Sequence, residues 1–419
     1  MDVNQSKDYE DTIEKLKGLQ SSICSLKAQI KEGKGGGKEY ARRRMDRLRK
    51  LLGLLGITNR HIGDLNVVHV AGTKGKGSTC AMVDSILRNY GIRTGLYTSP
   101  HLIDPRERIR VGGRLIPHSK FAQYLNEVYY KIQEAESANG MPFFFEFMTI
   151  LAFYVFVHEK VNGAIIEVGL GGLYDCTNII RNPVVVGITS LGFDHIEVLG
   201  NTIEEIAKAG IFKPGVQAFT THDNPISAQN VLKSYAKQIG CVLSICPPIS
   251  SYTGGEKKIC LGLDGEVQGC NASLALQLSH FYLTNRRKQI PDITKYPPLL
   301  TLCSETKKGP LPFLVSDKGL ESLCKTYWPG RFQMIFHNGV HLYLDGAHTA
   351  ESIFLCANWF KSRSKLKKVD KHKCFRALLY YCKGPRDCRD HVKILSKLDF
   401  DVVMLSPGAV HISDIWEPY

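Results

Sequence analysis

The chain has 419 residues, room for two or three domains that each bury a core. Hydrophobic content of 43% and charged content of 22% are ordinary for a globular protein and exclude a disordered or fibrous one. The longest strongly apolar run, 147–157, is too short to span a bilayer, and the first residues carry neither an apolar signal core nor an arginine-rich leader. Thirteen cysteines scattered without paired spacing fit a reducing compartment. No membrane span is expected, and the cytoplasm is the expected location, with a mitochondrial form from a different start as the alternative.

The net charge of +14 is densest over 31–50, which includes Lys34, Lys38, Arg42, Arg43, Arg44, Arg47, Arg49 and Lys50. Tyr40 alone interleaves there, a poor stacking platform for nucleic acid, so the stretch reads as a solvated helix face. No nucleic-acid partner is expected. A positive field also suits small polyanions.

In chain order, Tyr9, Ile13, Leu16, Leu19, Ile23, Leu26 and Ile30 recur at steps of three and four, the mark of an amphipathic helix. Glycines over 33–37 interrupt it, and a basic helix follows with Met45, Leu48, Leu51 and Leu55 on one face. Strands are predicted at 67–70, 95–98, 164–168, 184–189, 216–220 and 242–245, with helices such as 147–159 and 226–238 between them. That alternation predicts a mostly parallel α/β sheet. Asn271 is a candidate cap for a helix to about Thr284. The stretch 286–327, with prolines at 291, 297, 298, 310 and 312, reads as long connections. Trp328-Pro-Gly-Arg331 marks a boundary, so the domains are taken as 1–327 and 328–419. Beyond it come strand 341–344, helix 349–360, strand 375–380, helix 387–397 and strand 401–405.

The most informative segment, 70–80, reads Val-Ala-Gly-Thr-Lys-Gly-Lys-Gly-Ser-Thr-Cys between a strand and a helix that begins near Ser78. Gly72, Gly75 and Gly77 let backbone N–H groups close on phosphate oxygens at a helix N-terminus. Thr73 lies within the loop, Lys76 adds a point charge, and Ser78 or Thr79 can meet Mg²⁺. The spacing departs from the common P-loop, since Gly77 is followed by Ser78 and the Gly-Lys pair sits two positions earlier. A glycine-rich loop without a ligand is the alternative.

Glu167 ends a buried strand, where a carboxylate is expensive unless it is paired or bound to metal. Mg²⁺ ligation and an internal salt bridge are the two readings. Ser99 closes strand 95–98, where its hydroxyl can reach the same ion. His195 follows strand 184–189 and alone reads as structural. Arg106, Arg108 and Arg110 alternate with Glu107 and Ile109, a pattern that presents guanidinium groups either to carboxylates or to solvent. Phe144 and Phe145 suit stacking on a flat ring or a place in the core.

Gly-Thr-Lys-Gly-Lys-Gly-Ser resembles the P-loop of folylpolyglutamate synthases, relatives of the Mur peptide ligases. Four further segments agree in order: Tyr97-Thr-Ser-Pro-His-Leu, Arg106-Glu-Arg-Ile-Arg-Val, Ile166-Glu-Val-Gly-Leu-Gly-Gly-Leu-Tyr-Asp-Cys-Thr-Asn and Leu342-Tyr-Leu-Asp-Gly-Ala-His-Thr. The resemblance implies a P-loop ATP-binding domain followed by a smaller Rossmann-like α/β domain. It implies an ATP-dependent ligase that joins L-glutamate to the γ-carboxyl of tetrahydrofolate or its polyglutamates through an acyl phosphate. By the same resemblance Ser99, Glu167 and His195 hold Mg²⁺, Arg331 and Asp345 contact ATP, and His348 matches a position at the reacting end of the substrate. Lys208 matches a lysine that some members carbamylate, although its helix here is two residues shorter than the family pattern. Family second domains continue through further strands, so this one reads as truncated. The segment 100–110 matches a loop beside the folate site, and 144–145 the stacking position. A monomer is expected. Dihydrofolate synthase, a non-catalytic ATP- or folate-binding member, and a nucleic-acid-binding protein remain as alternatives.

Overall fold

The computed structural model describes residues 3–19, 36–135, 140–192, 202, 210–286, 312–366, 375–381 and 388–406. Its contacts divide the chain into two units, one made of 1–262 and 267–327, the other of 263–266 and 328–419.

The first unit is built on an eight-stranded sheet. Its strands are β1 (Val68–Ala71), β2 (Thr94–Tyr97), β3 (Ile109–Val111), β4 (Arg114–Leu115), β5 (Gly163–Glu167), β6 (Val185–Ile188), β7 (Gln217–Thr220) and β8 (Val242–Ile245). The order is β4-β3-β2-β5-β1-β6-β7-β8. All neighbours run parallel from β2 through β8, and β3 and β4 add antiparallel at one edge. The central strands β1, β2, β5 and β6 are buried along their whole length, as expected for a parallel sheet covered on both faces.

Helices α1 (Val3–Gly18), α2 (Gly36–Leu54), α3 (Asn59–Asp64), α4 (Lys76–Asn89), α5 (His118–Ala135), α6 (Phe144–His158), α7 (Ile226–Ile239), α8 (Gln268–Arg286) and α9 (Asp317–Lys325) cover the sheet. The period of two decides which helix each strand residue meets. Gly187 faces Leu278 of α8, whereas its neighbours Val186 and Ile188 join Leu232 and Ala236 of α7. The largest core cluster joins Leu16 of α1, Leu48, Leu51 and Leu52 of α2, Phe121 of α5, and Phe147, Phe153 and Phe156 of α6. Gly95 is needed in β2 because a Cβ there would stand 2.7 Å from the Phe156 ring.

Three sequence expectations change, and one is only partly described. The first helix is described to Gly18, and the rest of its periodic stretch falls in 20–35, outside the described residues. The basic helix is only half a solvated face: Arg42, Arg43 and Lys50 are exposed, but Arg44 is paired with buried Glu146 and donates to the Tyr174 carbonyl at 3.0 Å. Met45 and Leu48 turn that side of the helix into the core, which carries the arginine with it. The stretch 286–327 holds helix α9, capped by the Ser316 hydroxyl, among what read as connections. Strands β3 and β4 and helix α5 are additions.

The second unit has strands β9 (Gln333–His337) and β10 (Val340–Leu344), helix α10 (Ala350–Leu366), strand β11 (Ala377–Tyr380), helix α11 (Arg389–Leu395) and strand β12 (Val402–Leu405). β9 and β10 form an antiparallel hairpin through Asn338-Gly339, both at positive φ (48° and 80°), the pairing that matches strand twist. β11 and β12 pair in parallel. Ile353, Ala357, Leu395 and Leu398 form its small core, with Phe360, Tyr380 and Phe400 against them. Asp264 belongs to this unit because its carboxylate accepts from Trp359 Nε1 at 2.8 Å and pairs with Arg363. β9, hidden in sequence by Gln333 and His337, is a further addition.

Candidate active site

The carboxyl ends of β2, β5, β1 and β6 lie side by side, and the loops that leave them form one site. Open α/β sheets bind ligands at this edge, because helix N-termini and loop amides gather there. The loop after β1 is the one whose glycines matter most. Gly72 (φ 133°) and Gly75 (φ 86°) adopt backbone that L side chains avoid. A Cβ on Gly72 would lie 2.0 Å from Thr189 Oγ1 and 2.9 Å from its backbone nitrogen; one on Gly75 would lie 2.1 Å from Asn271 Oδ1. Thr73 and Lys74 amides both donate to the Ser190 carbonyl at 3.0 Å, and Thr73 Oγ1 donates to Gly192 O at 3.1 Å. The loop is therefore stapled to the end of β6.

Gly75 is the N-cap of α4, which starts at Lys76, two residues before the sequence expectation. Gly77 and Ser78 lie in its first turn. Lys76 Nζ curls back onto the Gly72 and Thr73 carbonyls at 3.0 and 3.3 Å, so its ammonium stands over the loop. Of the two candidate hydroxyls, Thr79 is fully buried and turned to Asn271 Oδ1 at 3.5 Å, while Ser78 sits one residue nearer the loop. The sequence suggests Asn271 as a helix cap. It lies instead inside α8, held by Gln268 at 2.9 Å, and its side chain braces the P-loop from behind. No local signal announces a residue almost two hundred positions away.

Glu167 at the end of β5 is 4% exposed, and its Oε2 accepts the Ser99 backbone N–H at 2.9 Å. The structure thus brings together Ser99, Glu167 and the P-loop. Ser78, Ser99 and Glu167 are hard oxygen donors, the kind Mg²⁺ takes. Among the described residues no cluster of three or more His, Cys, Asp and Glu gathers to hold a metal. His195, the third expected ligand, and Lys208 lie outside the described residues.

Behind the loop a buried polar chain fixes the backbone after β5. His69 Nε2 lies 2.8 Å from Thr177 Oγ1, which donates to Asp175 Oδ1 at 2.6 Å. The threonine proton is committed to the carboxylate, so the imidazole proton is on Nε2. Asp175 also accepts the Leu170 and Thr177 amides, both at 2.9 Å. Burial, with nearby Lys213 adding to it, drives the His69 pKa down to about 3, and the ring stays neutral. Lys213, brought down to about 8 by burial and by Arg49, donates to Asn178 Oδ1 at 2.6 Å. Nothing local in the sequence marks His69 as more than a residue of a buried strand.

The three arginines after β2 divide. Arg106 forms a fork onto Asp104, and Arg110 Nε reaches the Glu107 carbonyl at 3.4 Å. Arg108 is 8% exposed, lies 5.1 Å from the Phe144 ring centroid, and donates through Nε to His101 Nδ1 at 2.8 Å. Burial beside Arg108 lowers the His101 pKa to about 4, which leaves Nδ1 an acceptor. Half-buried Phe145 meets Gly169 with its ring edge and lies near Tyr97, packed against the core, while half-buried Phe144 carries the arginine.

In the second unit, Asp345 follows β10. Its Oδ2 accepts the Phe332 amide at 2.8 Å, and burial raises its pKa against the pull of that bond and of Arg331. Arg331 Nη1 donates to the Gly330 carbonyl at 3.0 Å, beside Gly346. His348 Nδ1 lies 2.8 Å from Gly346 O, which holds the ring over the turn into α10.

No family model matches the chain. Among curated proteins, it is 38% identical over 418 residues to the mitochondrial folylpolyglutamate synthase of Bos taurus, covering 97% of this chain and 69% of that one. It is 38% identical to the folylpolyglutamate synthase of Candida albicans, over 95% of this chain and 76% of the relative. Among solved structures, Mycobacterium tuberculosis folylpolyglutamate synthase complexed with ADP aligns with a TM-score of 0.70 at 22% identity. That alignment covers 98% of this chain and 85% of the other. A folylpolyglutamate synthase–AMPPCP–folate complex aligns at 0.67 and 23% identity, over 95% of this chain and 88% of the other. At that identity the structures speak for the fold, and the curated relatives for descent. With ordered motifs and a glycine cradle at the sheet edge, they lead to one conclusion: this chain belongs to the folylpolyglutamate synthase family.

Proposed function

We propose that this protein is an ATP-dependent ligase that adds L-glutamate to the γ-carboxyl of tetrahydrofolate and its polyglutamates. The observation that carries the reading is the cradle made by Gly72, Gly75 and Lys76 beside buried Glu167, within a chain of this family. Amide formation needs an activated carboxylate. Transfer of the ATP γ-phosphoryl group to the folate carboxylate gives an acyl phosphate and ADP; the glutamate amine then attacks the acyl carbon, and phosphate leaves. Most of the catalysis in such a transfer is positioning and charge stabilisation.

The cradle amides of Gly72, Gly75 and Gly77 would take the phosphates, with Thr73 bracing the loop, Lys76 as the cation and Ser78 and Thr79 in the first turn. Ser99, Glu167 and His195 would hold Mg²⁺, which supplies charge neutralisation to the triphosphate. Arg331 and Asp345 are read as the second domain's ATP contacts, His348 as a residue at the reacting end, and Lys208 as a support for the metal. The domains are taken as 1–327 and 328–419, with 263–266 joining the latter. Among the described residues no helix is long and apolar enough to cross a membrane, and a cytoplasmic monomer is the working reading. A mitochondrial form from a different start is the alternative, since relatives from Bos taurus and Cricetulus griseus carry that location in their names.

The test is incorporation of labelled glutamate into tetrahydrofolate with one ADP released per amide. ADP release and incorporation with dihydropteroate in place of tetrahydrofolate would move the reading to dihydrofolate synthase. ATP binding without either would make it a binding protein.

A further inference from the structure

Helix α1 reaches the loop that connects Ser99 to Arg108. Tyr9 Oη donates to Asp104 Oδ1 at 2.7 Å. The same carboxylate receives Arg106 Nε at 3.0 Å and Nη2 at 2.8 Å, and caps the turn Pro105–Arg108 by accepting the Arg106 amide at 2.8 Å. The Arg106 guanidinium lies 5.4 Å from the Tyr9 ring centroid, and His118 meets that ring edge-on at 4.3 Å. Glu107 completes the loop from within, accepting the Leu102, Ile103 and Asp104 amides at 2.9, 3.0 and 2.9 Å.

This loop is polar, self-bonded and open to solvent at its tip, where Ile103 is 80% exposed. Its two ends are anchored. Ser99 bonds Glu167 through its backbone, and buried Arg108 lies over the Phe144 ring, 5.1 Å from its centroid. Between those ends, the hydroxyl of Tyr9 ties the loop to a helix 95 residues earlier in the chain.

We propose that Tyr9 is a positioning residue: its hydroxyl, through Asp104, holds the loop in the form that places Arg108 for the acceptor substrate. The inference rests on the ligase reading only in naming that substrate. A hydrogen bond to a charged group is worth about a tenfold change or more when lost.

The test compares wild type with Tyr9→Phe, which keeps the ring against Arg106 and His118 and removes only the donor. Amide hydrogen exchange at Leu102, Ile103 and Asp104 should quicken about tenfold. KM for tetrahydrofolate should rise by a similar factor, with kcat and KM for ATP within about twofold and the thermal midpoint unchanged. Unchanged exchange, or faster exchange with an unchanged folate KM, would overturn the proposal. So would a fall in all parameters in step with lost stability, the mark of a merely structural role. Should the wild type fail to ligate glutamate, the ligase reading falls, and the exchange comparison still decides whether Tyr9 holds the loop.

Discussion

Two places in this protein share one local pattern. In the first unit, β1 runs into a glycine turn and then α4; in the second, β10 runs into Asp345-Gly346-Ala347-His348 and then α10. Their surroundings differ. β1 has parallel neighbours on both sides and is buried throughout, so its turn is stapled to the Ser190 carbonyl and wedged by Asn271. Among the described residues β10 pairs with β9 alone, and it alternates exposed and half-buried residues. Its turn is organised by its own side chains, Asp345 on the Phe332 amide and His348 beside the Gly346 carbonyl. A strand–turn–helix becomes a rigid cradle only where the sheet around it removes the alternatives.

The sharpest break of that comparison is a pair of glycine substitutions. Gly72→Ala puts a methyl onto Thr189 backbone and side chain at positive φ, and should lower unfolding free energy by about 3–5 kcal/mol. Gly346→Ala meets only the tip of Arg331 at 2.4 Å, a side chain that can swing aside, and should cost under about 1 kcal/mol. Urea midpoints of the two variants measure the difference; equal losses would erase the distinction.

Lys76→Ala comes next. It should reduce kcat/KM for ligation at least about a hundredfold, near 2.7 kcal/mol, with ATP affinity weakened in calorimetry and the fold intact. Survival of both turnover and ATP affinity would remove the phosphate role from this loop.

The dry network behind β1 predicts a pH dependence. The folded-state pKa of His69, about 3, lies below its ordinary 6.5, so the unfolded chain binds more protons between those values. The stability linked to this group is present above pH 6.5 and is lost as pH falls from there toward 3, at up to about 1.4 kcal/mol per pH unit. His69→Gln keeps a donor for Thr177 and cannot titrate, so unfolding free energy should fall less steeply with acid. Parallel slopes in wild type and variant would contradict the assignment.

The smallest effect concerns metal. Glu167→Gln keeps the acceptor for the Ser99 amide and removes the charge, and should raise half-saturating Mg²⁺ about tenfold, near 1.4 kcal/mol, with the unit still folded. An unchanged Mg²⁺ titration would leave Glu167 a packing residue.

Legibility followed burial. The central strands were readable because continuous β-branched runs bounded by glycine and proline have few other uses. β3 was not, because Ile109 and Val111 flank Arg110 in a segment that reads as charged loop, and only pairing with β2 makes it a strand. The P-loop glycines, Lys76 and Glu167 stood out by residue type and position, and Asp345 through the family resemblance. Asn271, His69 and Tyr9 did not, since each acts on a partner far away in the chain, and one sequence carries no record of such pairs.

The central parallel strands, the glycine turn after β1 and the family follow from the sequence alone, because hydrophobic period and glycine placement are local properties. Tertiary structure decided the rest. It turned Thr79 away to Asn271 and left Ser78 nearer the loop, paired half-buried Arg44 with Glu146, buried Arg108 against Phe144, and set the imidazole of His69 neutral. Each of these depends on which groups exclude water from a given atom, and desolvation is a property of the packed fold.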